Sequence, residues 1–137
     1  MIALDTNVLV RYLVRDDPAQ AEAARALVEA LTPGNAGFIC REVAVELVWV
    51  LERLYRLTRA QIADVLVELT ATDGLAVESA DDVARAAHAY RQGGPGFSDL
   101  MILAAAERSA AVPLHTFDRR LDRLPGAAPV ASPPTAS

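Results

Sequence analysis

The sequence predicts one α/β domain, a short and mainly parallel sheet flanked by helices. Three observations predict it. Brief apolar runs at 1–4, 37–40, 75–77 and 111–116 end on polar or turn residues, as short buried strands do. Longer stretches with helical periodicity separate them, the alternation that builds parallel sheets. A chain of 137 residues is also the size of a single domain with a substantial core.

Met1-Ile2-Ala3-Leu4 is the first strand, stopped by Asp5. Thr6 or Asn7 can cap the helix over 6–14, where Val8, Leu9, Tyr12 and Leu13 recur at helical spacing. In an open α/β sheet, ligands sit at the carboxyl ends of the strands, so Asp5 is either placed for chemistry or simply a turn residue. Asp17-Pro18 opens a second helix that runs to the turn Thr32-Pro33-Gly34-Asn35. Gly37-Phe38-Ile39-Cys40 is a short strand or an extended approach to the helix over 41–56. From Val43 to Leu51 that helix is apolar except at Glu46, which predicts cover on more than one side, with Trp49 and Val45 or Val48 facing a second copy. A carboxylate in such a setting needs a partner, either an Arg such as Arg53 or a functional one.

Thr58 opens a helix to about Thr70 with the stripe Ile62, Val65, Leu66 and Leu69. A strand at Leu75-Ala76-Val77 follows the turn Asp73-Gly74, and a helix spans 81–92 with His88 off its apolar side. Gly93-Gly94-Pro95-Gly96 then delivers Phe97-Ser98-Asp99 to a helix from Leu100 to Ser109. Ser98 can cap it, and Asp99 shares a face with Ile102, Leu103 and Ala106. A last strand over 111–116 packs His115 and ends at Phe117-Asp118, repeating the situation of Asp5. Arg119-Arg120-Leu121-Asp122 reads as a turn of helix. The domain is expected to span 1–124, and the Pro-, Ala- and Ser-rich tail 125–137 to add an edge strand at 128–130 and then be disordered.

Composition narrows the function. The apolar runs are far shorter than a membrane span of ~20 residues, and an amino end without basic residues that carries Asp5 does not read as a signal peptide. A lone Cys40 excludes an internal disulfide and fits a reducing compartment, so a cytoplasmic location is expected. The net charge of −5 argues against a binder held to nucleic acid by phosphate contacts alone. All 13 basic residues are Arg, which excludes mechanisms that need Lys. The 53% hydrophobic content hints at a covered partner surface beyond the core.

Asp5, Glu46, Asp99 and Asp118 are the acids that chain direction can bring to one rim. Four carboxylates together repel one another unless a cation compensates, and an all-oxygen cluster suits Mg²⁺ or Mn²⁺. At this point the sequence resembles the PIN-domain family, and within it the VapC-type toxin ribonucleases of toxin-antitoxin pairs. The likeness rests on Asp5-Thr6-Asn7-Val8-Leu9, on Glu42 to Leu51, on Phe97-Ser98-Asp99-Leu100-Met101-Ile102 and on Thr116-Phe117-Asp118-Arg119-Arg120-Leu121, in that order over residues 1–124. The resemblance implies a three-layer α/β/α sandwich. It also implies an endoribonuclease whose metal is held by Asp5, Glu46, Asp99 and Asp118, supported by Thr6, Asn7 and Thr116. Arg11, Arg15, Arg119 and Arg120 become candidate RNA-phosphate contacts, against the simpler reading of a solvated surface. A homodimer and a cognate antitoxin protein are the implied partners.

One departure stands out: many relatives carry a further acid where this chain has Gly96. Two other readings remain open. A phosphatase working through an aspartyl phosphate needs a second Asp where Asn7 stands, and a Lys. A noncatalytic PIN-like interaction module would have lost the acids.

Overall fold

The computed structural model describes residues 1–133. Strands β1 (Ile2–Ala3), β2 (Gly37–Ile39) and β3 (Leu75–Val77) form one parallel sheet, while β4 (Leu114–Thr116) and β5 (Ala127–Pro129) form a second, two-stranded parallel one. The helices are α1 (Thr6–Val14), α2 (Pro18–Glu29), α3 (Arg41–Arg53), α4 (Arg59–Ala71), α5 (Ala80–Arg91) and α6 (Phe97–Arg108). The sheet order is β1-β2-β3, with Ile2 opposite Gly37 and Phe38 opposite Ala76. His115 lies opposite Ala128 in the β4–β5 pair. The expected α/β/α arrangement is therefore observed, with its strands divided between two sheets among the described residues.

Gly37 is in the middle strand for a steric reason. A Cβ there would come within 2.8 Å of Leu4 Cδ1 and 2.7 Å of Leu31 Cδ1, so the bare backbone is what lets both leucines close over the sheet. Gly74, at φ +85°, makes the left-handed turn into β3 that a side chain would resist.

Local chemistry sets the helix starts. Asp5, rather than Thr6 or Asn7, caps α1: the Thr6 N–H donates to Asp5 Oδ1 at 2.7 Å. Asp17 caps α2 in front of Pro18, and Thr58 and Gln61 form a reciprocal capping box on α4. Helix α6 begins at Phe97 with Gly96 as its cap, three residues before the sequence placed it, so Ser98 lies in the first turn and is not the cap.

The core joins Leu4, Leu9, Ile39, Leu47, Leu51, Ile62, Leu66, Val83, Tyr90, Phe97 and Met101. Ala44, Leu47, Val48 and Leu51 are the buried face of α3, while Glu46 is exposed and Trp49 keeps 54% of its surface in solvent. The expectation of a carboxylate enclosed by apolar neighbours is thus corrected. Glu46 turns away from the core, and no ion pair with Arg53 forms among the described residues. On α6 the inward residues are Phe97, Leu100, Met101 and Leu103, and Ile102 is 50% exposed rather than inward.

Two further expectations change, and the edge strand expected at 128–130 forms one residue earlier. Residues 119–123 are turns without helix, because the Asp118 carboxylate takes the Arg120 and Leu121 N–H groups at 2.8 and 2.9 Å and holds the chain locally. His115 is exposed, as the outward residue of a three-residue strand. Residues 127–129 are extended, and the part of the expected disordered tail at 134–137 lies outside the described residues.

Candidate active site

The rim is built by chain direction. Asp5 follows β1 and Asp118 follows β4, both just past the carboxyl end of a parallel strand. Asp99 occupies the first turn of α6, and Glu46 projects from α3. Asp5, Glu46 and Asp118 are exposed, and Asp99 is half-buried.

The four acids meet as two couples. Asp5 and Glu46 line one shallow pocket of about 260 Å³, together with Thr6, Asn7, Val10, Arg11 and Tyr55. Asp99 and Asp118 face each other closely enough to interact: burial pushes the Asp99 carboxyl above its ordinary value, the Asp118 charge adds to that, and the Gly96 backbone N–H opposes both. Glu46 also borders a larger groove of about 1040 Å³ whose lining includes Gly96, Phe97 and Ser98, at the start of the helix that carries Asp99. Among the described residues no three His, Cys, Asp or Glu side chains gather into a group that could hold a metal ion. Local hydrogen bonds account for the spread. Asp5 turns to the Thr6 N–H, and Asp118 to the Arg120 and Leu121 N–H groups.

The residues present nonetheless fit a hard divalent cation. All four acids offer oxygen, which suits Mg²⁺ or Mn²⁺. Thr6 Oγ1 is buried beside Asp5 with no hydrogen-bond partner, and a buried hydroxyl left unpaired is expensive. Burial, and then the Asp118 charge, make the ionised Asp99 carboxylate costly, and a bound cation relieves that cost. Asn7 is exposed in the smaller pocket, and Thr116 Oγ1 accepts the Asp118 N–H at 3.0 Å. A Cβ at Gly96 would meet nothing nearer than Asp99 Oδ2 at 3.8 Å, so space for a side chain exists where this chain has none.

Of the four candidate RNA-contacting arginines, Arg11 is engaged within the fold. It donates to Asp16 at 2.8 Å, to Gln20 at 2.7 Å and to the Tyr55 hydroxyl at 3.3 Å, while Tyr55 donates to Asp16 at 2.7 Å. Arg15 ends α1 in the left-handed region, and Arg119 and Arg120 stand exposed beside Asp118.

Sequence reasoning missed three groups. Tyr55 enters the Asp5 pocket from beyond the end of α3. Asp82, 3% exposed, takes Arg41, Arg85 and Arg108 from three different helices, with the Arg108 bond chiefly holding its carboxyl below the usual range. Arg59 binds the glycine-rich loop ahead of Asp99. Only the Asp82–Arg85 spacing was visible beforehand, as an i,i+3 pair.

Comparison with known proteins identifies the family. The PIN domain family matches residues 2–127, which takes in both acid couples and all but the last two residues of β5. No curated protein matches the chain. PIN domains are in general nucleases that use divalent metal ions, and no helix among the described residues is long and apolar enough to cross a membrane. With nearly its whole length matched, this chain belongs to the PIN-domain family.

Proposed function

We propose that the chain is a VapC-type toxin, a cytoplasmic Mg²⁺- or Mn²⁺-dependent endoribonuclease kept in check by a cognate antitoxin. The observation that carries this reading is the set of acids at the strand-end rim of a PIN domain, where Asp99 is half-buried and its carboxyl is raised by burial and then by the Asp118 charge. The ion would be held by Asp99, Asp118 and Asp5, with Glu46 binding it directly, through water, or as part of a second site. When bound, it supplies Lewis-acid stabilisation of the scissile phosphodiester and a more acidic water.

The chain's own residues do the rest. Asp5 and Asp118, now turned to backbone N–H groups, would hold the ion after a change of side-chain rotamer. The Thr6 hydroxyl, which has no partner, would be free to bind a water or the ion beside Asp5. Arg119 and Arg120, exposed beside Asp118, meet backbone phosphates without reading sequence.

The decisive experiment incubates purified protein with structured RNA in Mg²⁺. The expected result is cleavage that stops with a chelator and with Asp5→Asn, while circular dichroism stays unchanged. Wild-type protein that is folded yet inert in both Mg²⁺ and Mn²⁺ transfers the fold to the interaction-module reading.

Exposed Trp49 and Ile102, with half-buried Val45, line the larger groove and support a homodimer through α3 and α6. Sedimentation at micromolar concentration reads this, and a monomer removes it. Relief of growth arrest on co-expression with a partner reads the antitoxin; arrest that no neighbouring gene product relieves counts against it.

A further inference from the structure

Gly93-Gly94-Pro95-Gly96 is the segment that leads into Asp99, and its own chain does little to fix it. Gly93 and Gly94 sit at φ +94° and +85°, and a Cβ at either would meet nothing within 4 Å. Order comes instead from a side chain more than thirty residues away. Arg59, the first residue of α4, donates from Nη1 to the Tyr90 carbonyl at 2.9 Å and to the Pro95 carbonyl at 3.1 Å, and from Nη2 to the Gly94 carbonyl at 3.0 Å. Its guanidinium also lies over the Tyr90 ring, 4.4 Å from the centroid.

The Pro95 carbonyl and the Gly96 N–H belong to the same peptide unit. One side of that unit takes the Arg59 guanidinium. Its other side opens the first turn of α6, where Asp99 Oδ2 lies 3.8 Å from where a Gly96 Cβ would stand. A peptide preceding glycine can rotate to its flipped orientation with little steric penalty, because glycine tolerates either sign of φ. A cation bound to the carbonyl selects one orientation.

We propose that Arg59 is a positioning residue for Asp99: it holds the Pro95–Gly96 peptide, and with it the first turn of α6 that carries the Asp99 carboxylate. The consequence for metal affinity rests on the reading of Asp99 as a ligand, whereas the peptide clamp itself exists in the metal-free protein. Lysine cannot replace Arg59 fully, since an ammonium keeps the charge but loses the planar fork that reaches three carbonyls.

The test compares wild type, Arg59→Met and Arg59→Lys in two measurements. In metal-free protein, amide exchange at Gly96 is expected to rise at least about tenfold more than at the core amides of Leu47 and Leu66, with Arg59→Lys in between. Mn²⁺ affinity, read by electron paramagnetic resonance without substrate, is expected to fall about tenfold in Arg59→Met. In an Asp99→Asn background the same substitution should change it no further. Gly96 exchange that rises only in step with the core amides overturns the clamp, and so does an equal Mn²⁺ loss with Asp99 already removed. Wild type that binds no Mn²⁺ overturns the metal reading instead, and Gly96 exchange then decides the clamp alone.

Discussion

Replacing Asp99 with asparagine is expected to give a protein that no longer cuts RNA and melts at a higher temperature than wild type. The two effects share one cause. Burial, and then the Asp118 charge, raise the Asp99 carboxyl above its ordinary value, so ionising it is harder in the folded chain than in the unfolded one. Between the ordinary carboxylate range and that raised value, the folded state binds more protons, and stability falls as pH rises through the window. Above that raised value the wild type carries the whole penalty, and an asparagine carries none. The difference in Tm should therefore shrink as pH is lowered until Asp99 is protonated in both states.

Cleavage should drop by at least about a hundredfold. Outer partners of metal ligands are worth 10- to 100-fold, and Asp99 is proposed as a ligand itself. Added Mg²⁺ should raise the wild-type Tm and leave that of Asp99→Asn nearly unmoved, because only a folded state that binds the ion is stabilised by it. A variant that cleaves normally, or melts below wild type at pH 7, sinks the assignment of Asp99 as a strained ligand. Sites built from like charges stand at the destabilised end of a fold, and relieving them trades activity for stability.

What the sequence conveyed followed from periodicity, and what it hid followed from direction. Ile62, Leu66 and Leu69 announced the buried stripe of α4, and the strand-then-acid pattern at Asp5 and Asp118 placed both residues at the rim. Glu46 was misread because an apolar run on α3 was taken as evidence of enclosure. The residues around it are apolar, yet the helix presents Glu46 and Trp49 to solvent and Leu47 and Val48 to the core. A one-dimensional pattern cannot tell a face covered by this chain from one left for another molecule. The partners of Arg11 were hidden for a related reason: helical spacing puts it on a surface, but Asp16, Gln20 and Tyr55 converge on it from segments whose meeting is tertiary. Asp82 and Arg59 were hidden most deeply, since their partners lie on other helices and on loop carbonyls that have no side-chain signature.

Phe97→Ala joins the core to the site and is expected to destabilise the fold by about 3–5 kcal/mol, the range for truncating a buried aromatic. Phe97 is 1% exposed and stands edge-on to Tyr90, with ring centroids 6.3 Å apart at 81°. Tyr90 has no slack to fill the vacated space. Its hydroxyl donates to Glu52 at 2.6 Å and the Arg59 guanidinium lies over its ring, so the cavity stays largely open. A loss of that size removes a large part of the 5–15 kcal/mol that holds a typical domain. Phe97 is also the first residue of α6, two before Asp99, so any shift of the helix start moves the proposed ligand. Urea unfolding should show a lower midpoint at unchanged slope, which marks lost stability and not an altered denatured state. Phe97→Leu, which refills most of the volume, should recover at least half of the loss. A loss in Phe97→Ala below about 1.5 kcal/mol would mean that the Tyr90 side relaxes into the gap. The aromatic pair would then not be what fixes the start of α6.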